Sequence, residues 1–341
     1  MVYRSAILGC GPRAACHIEA YLGIEEIKLV ALCDMNEQRL QDYGSRFEVA
    51  GRYTDLEKML AVEHPDILHV VTPPAIREQP IAAAANAGVK GVIVEKPLAL
   101  SYRQVQHIQA SVAKSGLKIV VNMQRRYFGS CQKLKEVLCS GRVGDIQFVR
   151  GVTRGNILSM GPHIFDLLLY LLDDAAPIDV WAAAYGMNGY DYGHPAPANM
   201  LVQLTFPDSI TAYIEDSADA LGTPGEPEFW QHLELDFWGT EGRAWWTQNR
   251  DWGYQRHGMD QPCLEKTSWF EDDIPGQRGL TRAMARWLDD DSHVHLNCLD
   301  NALLGFDVIM GAMQSAYAHR RLTLPAEVPD DIVAKLEHRT G

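Results

Sequence analysis

The 341-residue chain is short of positive charge. Its 31 lysines and arginines face 44 aspartates and glutamates, for a net charge of -13. That deficit removes the electrostatic footprint that nucleic acid or an anionic membrane surface calls for. Paired cysteines are lacking too. The seven stand at positions 10, 16, 33, 131, 139, 263 and 298, an odd number with no two-residue knuckle spacing. This argues against a disulfide framework, a zinc knuckle and a Cys-x-x-Cys redox centre, and reduced thiols are expected. No apolar run is long. The greasiest, Ile164–Leu172, carries Asp166 and falls far below the ~20 residues that cross a bilayer. Internal repeats and low-complexity runs are absent. No signal peptide precedes the apolar pattern, which starts at Val2 and Tyr3. A soluble, cytoplasmic protein of two domains is expected.

What is present is the composition of an ordinary folded enzyme, 47% hydrophobic and 22% charged. The first third alternates short apolar runs with amphipathic stretches. Strands are predicted at Ser5–Leu8, Lys28–Cys33, Ile67–Val71, Gly91–Val94 and Leu117–Val121. Helices are predicted at Arg13–Leu22, Glu37–Arg46, Ile76–Ala87 and Tyr102–Lys114. Such alternation predicts βαβ crossovers and a parallel sheet. After about residue 125 the pattern changes. A helix at Cys131–Cys139, a strand at Asp145–Val152 and an apolar helix at Pro162–Leu172 lead into extended candidates. These are Ile178–Gly186, Met200–Phe206, Ser209–Ile214, His232–Trp238 and Gly242–Thr247, with turn-rich pieces at Gly193–Ala198 and Gly222–Glu228. Strands in succession predict an antiparallel sheet, and a late helix is expected over Asp300–Ala318. The fold class is therefore an N-terminal α/β domain with a parallel sheet, residues 1–123, plus an α+β domain with a large open, mainly antiparallel sheet, residues 124–341. The last residues are expected to pack back on the first domain.

Gly9-Cys10-Gly11-Pro12-Arg13-Ala14 follows a strand and opens a helix, the setting of a dinucleotide fingerprint. Gly9 suits a tight turn. Gly11 lets the backbone approach a pyrophosphate at the positive helix end, and Ala14 stands for the third glycine. By itself the pattern also fits a plain turn. Asp34 ends the second strand 23 residues past Gly11, near the ~20 expected for an acid on the adenosine ribose. A carboxylate there accepts from the 2′- and 3′-hydroxyls and repels a 2′-phosphate, which favours NAD over NADP. Arg13 pulls the other way, and Asp34 could also be a solvated strand end. Thr72-Pro73-Pro74 closes one apolar run and Glu95-Lys96-Pro97 another, both at carboxyl ends of strands, where ligands dock. From position alone a solvent-facing Lys96 is the simpler reading.

Together these pieces resemble the glucose–fructose oxidoreductase, inositol dehydrogenase and rhizopine-catabolism (Gfo/Idh/MocA) family. Val121-Asn122-Met123-Gln124-Arg125-Arg126-Tyr127 is similar to that family's entry into its second domain. So is Lys135-Glu136-Val137-Leu138-Cys139-Ser140-Gly141-Arg142-Val143-Gly144. Gly239-Thr240-Glu241-Gly242 resembles its sheet-edge turn, and Ser315-Ala316 with Leu324-Pro325 its closing helix and tail.

The resemblance implies a Rossmann domain with a second α+β domain, dimers or tetramers through the C-terminal sheet, and NAD(P)-dependent redox chemistry on a sugar, polyol or derivative. Gly9, Gly11, Pro12, Arg13, Ala14, Asp34, Thr72, Pro73, Pro74, Glu95 and Lys96 would hold the cofactor. Lys96 would contact the reacting hydroxyl, with Pro97 after a cis bond. His163 matches the family histidine, a fit proton acceptor, while Ser159 stands where the family has an aspartate. Ser159, Arg126, Lys96 and His163 would contact substrate. Arg125, Tyr127, Arg154 and Asn156 are further polar candidates, and Asp166 is assigned no catalytic part. A redox-neutral NAD-dependent glycosidase and a non-catalytic dinucleotide-binding protein are the alternatives. No metal site is expected; His293-Val294-His295 has no third ligand close by in sequence. Trp238, Trp245, Trp246, Trp252 and Tyr254 are expected to pack the open sheet or a subunit contact.

Overall fold

The computed structural model describes residues 2–188 and 195–340. The expected turn Gly193–Ala198 lies outside the described residues at its first two positions. Chain contacts divide the protein into two compact units, Met1–Tyr127 with Asp273–Ala302, and Phe128–Asp272 with Leu303–Gly341.

The first unit is built on a six-stranded sheet in which every pairing is parallel. Its strands are β1 (Tyr3–Leu8), β2 (Ile27–Cys33), β3 (Gly51–Tyr53), β4 (Ile67–Val70), β5 (Gly91–Val94) and β6 (Lys118–Val121), in the order β3-β2-β1-β4-β5-β6. β4 and β5 are buried at every position, as expected of strands covered on both faces. The crossovers are α1 (Ala14–Ala20), α2 (Glu37–Arg46), α3 (Leu56–Glu63), α4 (Glu78–Asn86) and α5 (Tyr102–Ser115). Local chemistry sets their ends. Asn36, Asp55 and Ser101 each accept a backbone N–H of the first turn, and Gly116 closes α5 at φ 71°. Neither β3 nor α3 was predicted, because each is too short for a periodic signal; the Asp55 cap is the one local cue.

The unit is completed from far along the chain. A helix over Trp269–Asp289, also missed because Pro275, Gly276 and Gly279 interrupt its pattern, places Leu280, Met284 and Ala285 in the core with Ile7, Leu32, Ile67, Ile93 and Val120. Gly91 makes room: a Cβ there would lie 2.7 Å from Met284 Sδ.

Among the described residues of the second unit the sheet has nine strands, in the order β14-β13-β12-β11-β7-β10-β9-β8-β15. They are β7 (Ile146–Thr153), β8 (Asp179–Asn188), β9 (Ala196–Thr205), β10 (Thr211–Ser217), β11 (Leu233–Gly239), β12 (Gly242–Thr247), β13 (Asp251–Arg256), β14 (Cys263–Lys266) and β15 (Leu322–Thr323). All pairings are antiparallel except β10 with β7. Strand β10 runs three residues beyond the predicted Ser209–Ile214. Helix α6 (Gly129–Cys139) precedes β7, and α7 (Gly161–Leu171), buried along its whole length, follows it. Of the expected aromatic group, Trp246 and Trp252 are core residues, and the Trp245 indole donates to Asp251 at 2.6 Å. Among the described residues no helix is long and apolar enough to cross a membrane.

Candidate functional site

The glycine loop lies between the ends of β1 and β4. Gly9 has φ 98°, and a Cβ there would sit 2.2 Å from Val71 O, so only glycine fits the turn. At Gly11 an added Cβ would meet nothing within 4 Å. The space above the loop is therefore open where a pyrophosphate would need the backbone bare, and the residues present fit a dinucleotide. Asp34 braces the loop: Oδ2 accepts the Cys10 N–H at 2.6 Å and Oδ1 the Asn36 N–H at 2.8 Å. Tyr43 O–H donates to Gly11 O at 2.8 Å, a contribution from α2 that no motif announces. Among the described residues the Thr72 hydroxyl oxygen is buried without a partner. Such an atom costs stability unless a ligand satisfies it.

Arg13 points into the protein. Its guanidinium forms a fork to Asp273, at 2.8 and 3.1 Å, and reaches Gln277 Oε1 at 3.3 Å and Glu95 Oε1 at 3.5 Å. Asp273, 260 residues away in sequence, is the partner that sequence reasoning could not find. Its carboxyl is held below its ordinary range: burial opposes this, and the Arg13 charge and hydrogen bonds from Arg13, Cys16 and Gln124 outweigh it.

Glu95 is the hub of the unit. Oε1 accepts from His17 Nε2 at 2.9 Å and from Asn122 Nδ2 at 2.8 Å; Oε2 accepts the Lys96 N–H at 3.0 Å. Burial raises the pKa of this carboxyl, but hydrogen bonding and charge from His17, then Arg13 and Lys96, drive it far below the usual range. Beyond His17 the chain continues. His17 Nδ1 lies 2.9 Å from His69 Nδ1, and His69 Nε2 is 2.8 Å from Tyr21 Oη. Burial, and then its neighbour His17, hold His69 neutral. With Glu95 ionised, His17 Nε2–H donates to it.

The Lys96–Pro97 bond is cis, as the resemblance implies. Buried Arg77 fastens this turn. It donates to Thr72 O at 2.6 and 2.9 Å, to Lys96 O at 3.2 Å, and to the carbonyls of Glu95 and Pro97. One guanidinium thus ties Thr72-Pro73-Pro74 to Glu95-Lys96-Pro97, two motifs the sequence presents separately. Arg126, expected on substrate, is enclosed: it is fully buried and Nη1 donates to Leu296 O at 3.1 Å. Arg125 is buried as well.

In the second unit Asn156 and Ser159 lie between the end of β7 and the start of α7, and His163 lies in the first turn of that helix. Asn156 Oδ1 accepts the N–H groups of Leu158 and Ser159, at 3.1 and 2.9 Å, and so shapes the turn into α7. Ser159 and His163 are both buried at that turn. The two histidines of His293-Val294-His295 part company: His293 is exposed beside Asp290, while His295 is buried against Leu280 O. Among the described residues no cluster of histidine, cysteine and carboxylate side chains could hold a metal.

Residues 3–123 match the oxidoreductase family with an NAD-binding Rossmann fold. The chain is 29% identical to D-apiose dehydrogenase of Paraburkholderia graminis over 63% of its own length and 60% of that protein's. It is 25% identical to D-glucoside 3-dehydrogenase of Escherichia coli over 63% and 64%. The aligned stretches thus span less than two thirds of either relative. In fold it is similar to an oxidoreductase of Agrobacterium radiobacter solved with NAD+, L-tartaric acid and magnesium, with a TM-score of 0.82, 19% identity, and coverage of 95% and 98%.

Proposed function

We propose that the chain, whose residues 3–123 match the oxidoreductase family with an NAD-binding Rossmann fold, oxidises a CH–OH group of a sugar or polyol, or reduces the matching carbonyl. A nicotinamide dinucleotide, held by the Gly9–Ala14 loop and Asp34, would supply the hydride chemistry when bound. The observation that carries the reading is the Glu95–Lys96 turn, whose carboxylate and carbonyls are all held by buried partners, leaving Lys96 on a stiffened base. Lys96 holds the reacting oxygen and stabilises its charge. His163 accepts the hydroxyl proton on oxidation and returns it on reduction. Ser159 hydrogen-bonds the substrate. NAD is preferred over NADP because Asp34 presents a carboxylate at the end of β2 while Asp273 occupies Arg13, the cation best placed in sequence to meet a 2′-phosphate. The relatives named for sugar substrates support the substrate class. Two copies associate through the outer face of the nine-stranded sheet, where Phe148 stacks with Tyr213 and Trp238 at 5.6 and 5.2 Å and Leu201 and Tyr185 are exposed.

The test is a panel of sugars, uronates, polyols and aryl glycosides, recording both NADH formation and glycosidic cleavage. Lys96→Met and His163→Gln should each lower kcat by ~10²- to 10⁴-fold with dinucleotide still bound. Unchanged turnover in both would overturn the reading, and cleavage without NADH would replace it with a redox-neutral one.

A further inference from the structure

Strand β10 alternates in and out, and Ala212 and Ile214 take its inward positions. Asp216 is the next inward residue, where the pattern calls for another apolar side chain. It is fully buried, and neither carboxyl oxygen has a partner among the described residues. Its sheet neighbours, Thr153 on β7 and Met200 on β9, are uncharged. The element packed against it is α7. Ile164 of that helix rests by Gly151, which also adjoins Ile214, and one step along the strand a Cβ on Gly161 would lie 3.0 Å from Asp216 Oδ2. The carboxyl thus presses on the first residue of α7, two before His163. The absence of a side chain at Gly161 permits the approach. Ionisable groups on or beside the surrounding elements include His163 and Asp166 on α7, Arg154 after β7, Asp219 after β10, and His232 and Glu234 at the start of β11.

An unpartnered carboxyl at a core position is a standing cost to stability. Local rules broken without compensation mark functional sites. Ser159, the nearest polar residue before His163, cannot ionise, so the acid of this turn comes from another strand.

Building on the dehydrogenase reading, we propose that Asp216 is a positioning residue whose ionisation, transmitted through the Gly161–His163 turn, supports His163 when it accepts a proton. Burial alone raises this carboxyl to about 8, so it is neutral at neutral pH and ionises as the medium turns alkaline. Oxidation should then accelerate through that range, with KM little changed.

Asp216→Asn keeps the shape and removes the charge. With ¹³C-carboxyl-labelled aspartate, the wild-type protein should show one aspartate titrating near pH 8, missing from the variant. The variant should melt several degrees higher than wild type at pH 8 and show little difference at pH 4. In the kcat–pH profile the variant should lose the alkaline rise, with kcat about tenfold lower at pH 9 and nearly unchanged at pH 6. An aspartate resonance that titrates normally, or an unaltered pH profile in Asp216→Asn, overturns the proposal. If Lys96→Met and His163→Gln also retain turnover, the dehydrogenase reading itself has failed. If those two lose it and Asp216→Asn does not, only the role of Asp216 falls.

Discussion

Two buried carboxyl groups, one in each unit, meet burial in opposite ways. Glu95 is surrounded by His17, Asn122, the Lys96 N–H and Arg13. Asp216 has hydrocarbon, a threonine and a backbone glycine around it. Desolvation is the largest cause acting on both and has the same sign. Partners decide the rest: Glu95 is driven to its anion and Asp216 is kept as the acid. A carboxylate that braces the Glu95–Lys96 turn as an anion at neutral pH suits the first environment. A group that must change charge near neutrality suits the second.

The comparison predicts opposite responses to pH. Glu95 has a folded-state pKa below its ordinary 4.5, so its contribution to stability is present above that value and disappears as pH falls. Asp216 is raised from 3.8 to about 8. Its contribution is full below 3.8 and is lost as pH rises through about 8.

Mutations at the Glu95 end sharpen the contrast. Glu95→Ala should be the most damaging, since it leaves buried His17 without its anion and the Asn122 amide without its acceptor. A loss of about 3–5 kcal/mol is expected, seen as a melting point lower by on the order of 10 °C. Comparable melting points for Glu95→Ala and Asp216→Asn would break the contrast. The two loop glycines form the next pair. Gly9→Ala should destabilise the first unit by roughly 2–3 kcal/mol, because its Cβ strikes Val71 O and its φ is positive. Gly11→Ala, with empty space around the added methyl, should fold normally and lose about 10- to 100-fold in dinucleotide affinity by calorimetry. Asp34→Ser should erode discrimination between NAD and NADP by about tenfold, measured as the ratio of their dissociation constants. The smallest effect belongs to a surface pair: Arg46→Gln, which breaks an exposed contact to Glu19 at 2.9 Å, should cost less than about 0.5 kcal/mol.

Part of the candidate site is legible in the sequence. Gly9, Gly11 and Asp34 stand out because the demands of a tight turn and a strand-end acid fall within one βαβ unit and leave a local spacing. Position alone leaves Lys96 a solvent-facing lysine; it is the resemblance to the Gfo/Idh/MocA family that singles out Glu95-Lys96-Pro97. Residues whose meaning depends on a distant partner left no such mark. Arg13, expected among the cofactor-binding residues and able by its place in the loop to meet a 2′-phosphate, pairs with Asp273. Arg126 was read as a substrate contact, and it is enclosed. Arg77, His17 and His69 were passed over, since an arginine near a proline or a histidine in an apolar helix says nothing about the carbonyl or carboxylate it will meet. Asp216 lay beyond the predicted end of its strand.

The sequence alone determined the alternation of strands and helices, the parallel sheet, the open second sheet and the strand ends that carry the motifs. All of these follow from side-chain periodicity and from backbone rules acting within a few residues. Tertiary structure alone decided which charges are compensated. It returned the Trp269–Asp289 helix to the first unit and so supplied Asp273 to Arg13, and it set Gly161 against Asp216. The physical reason is range: backbone preferences act over a turn or two, whereas the charge state of a buried group is fixed by whatever the fold places within about 4 Å.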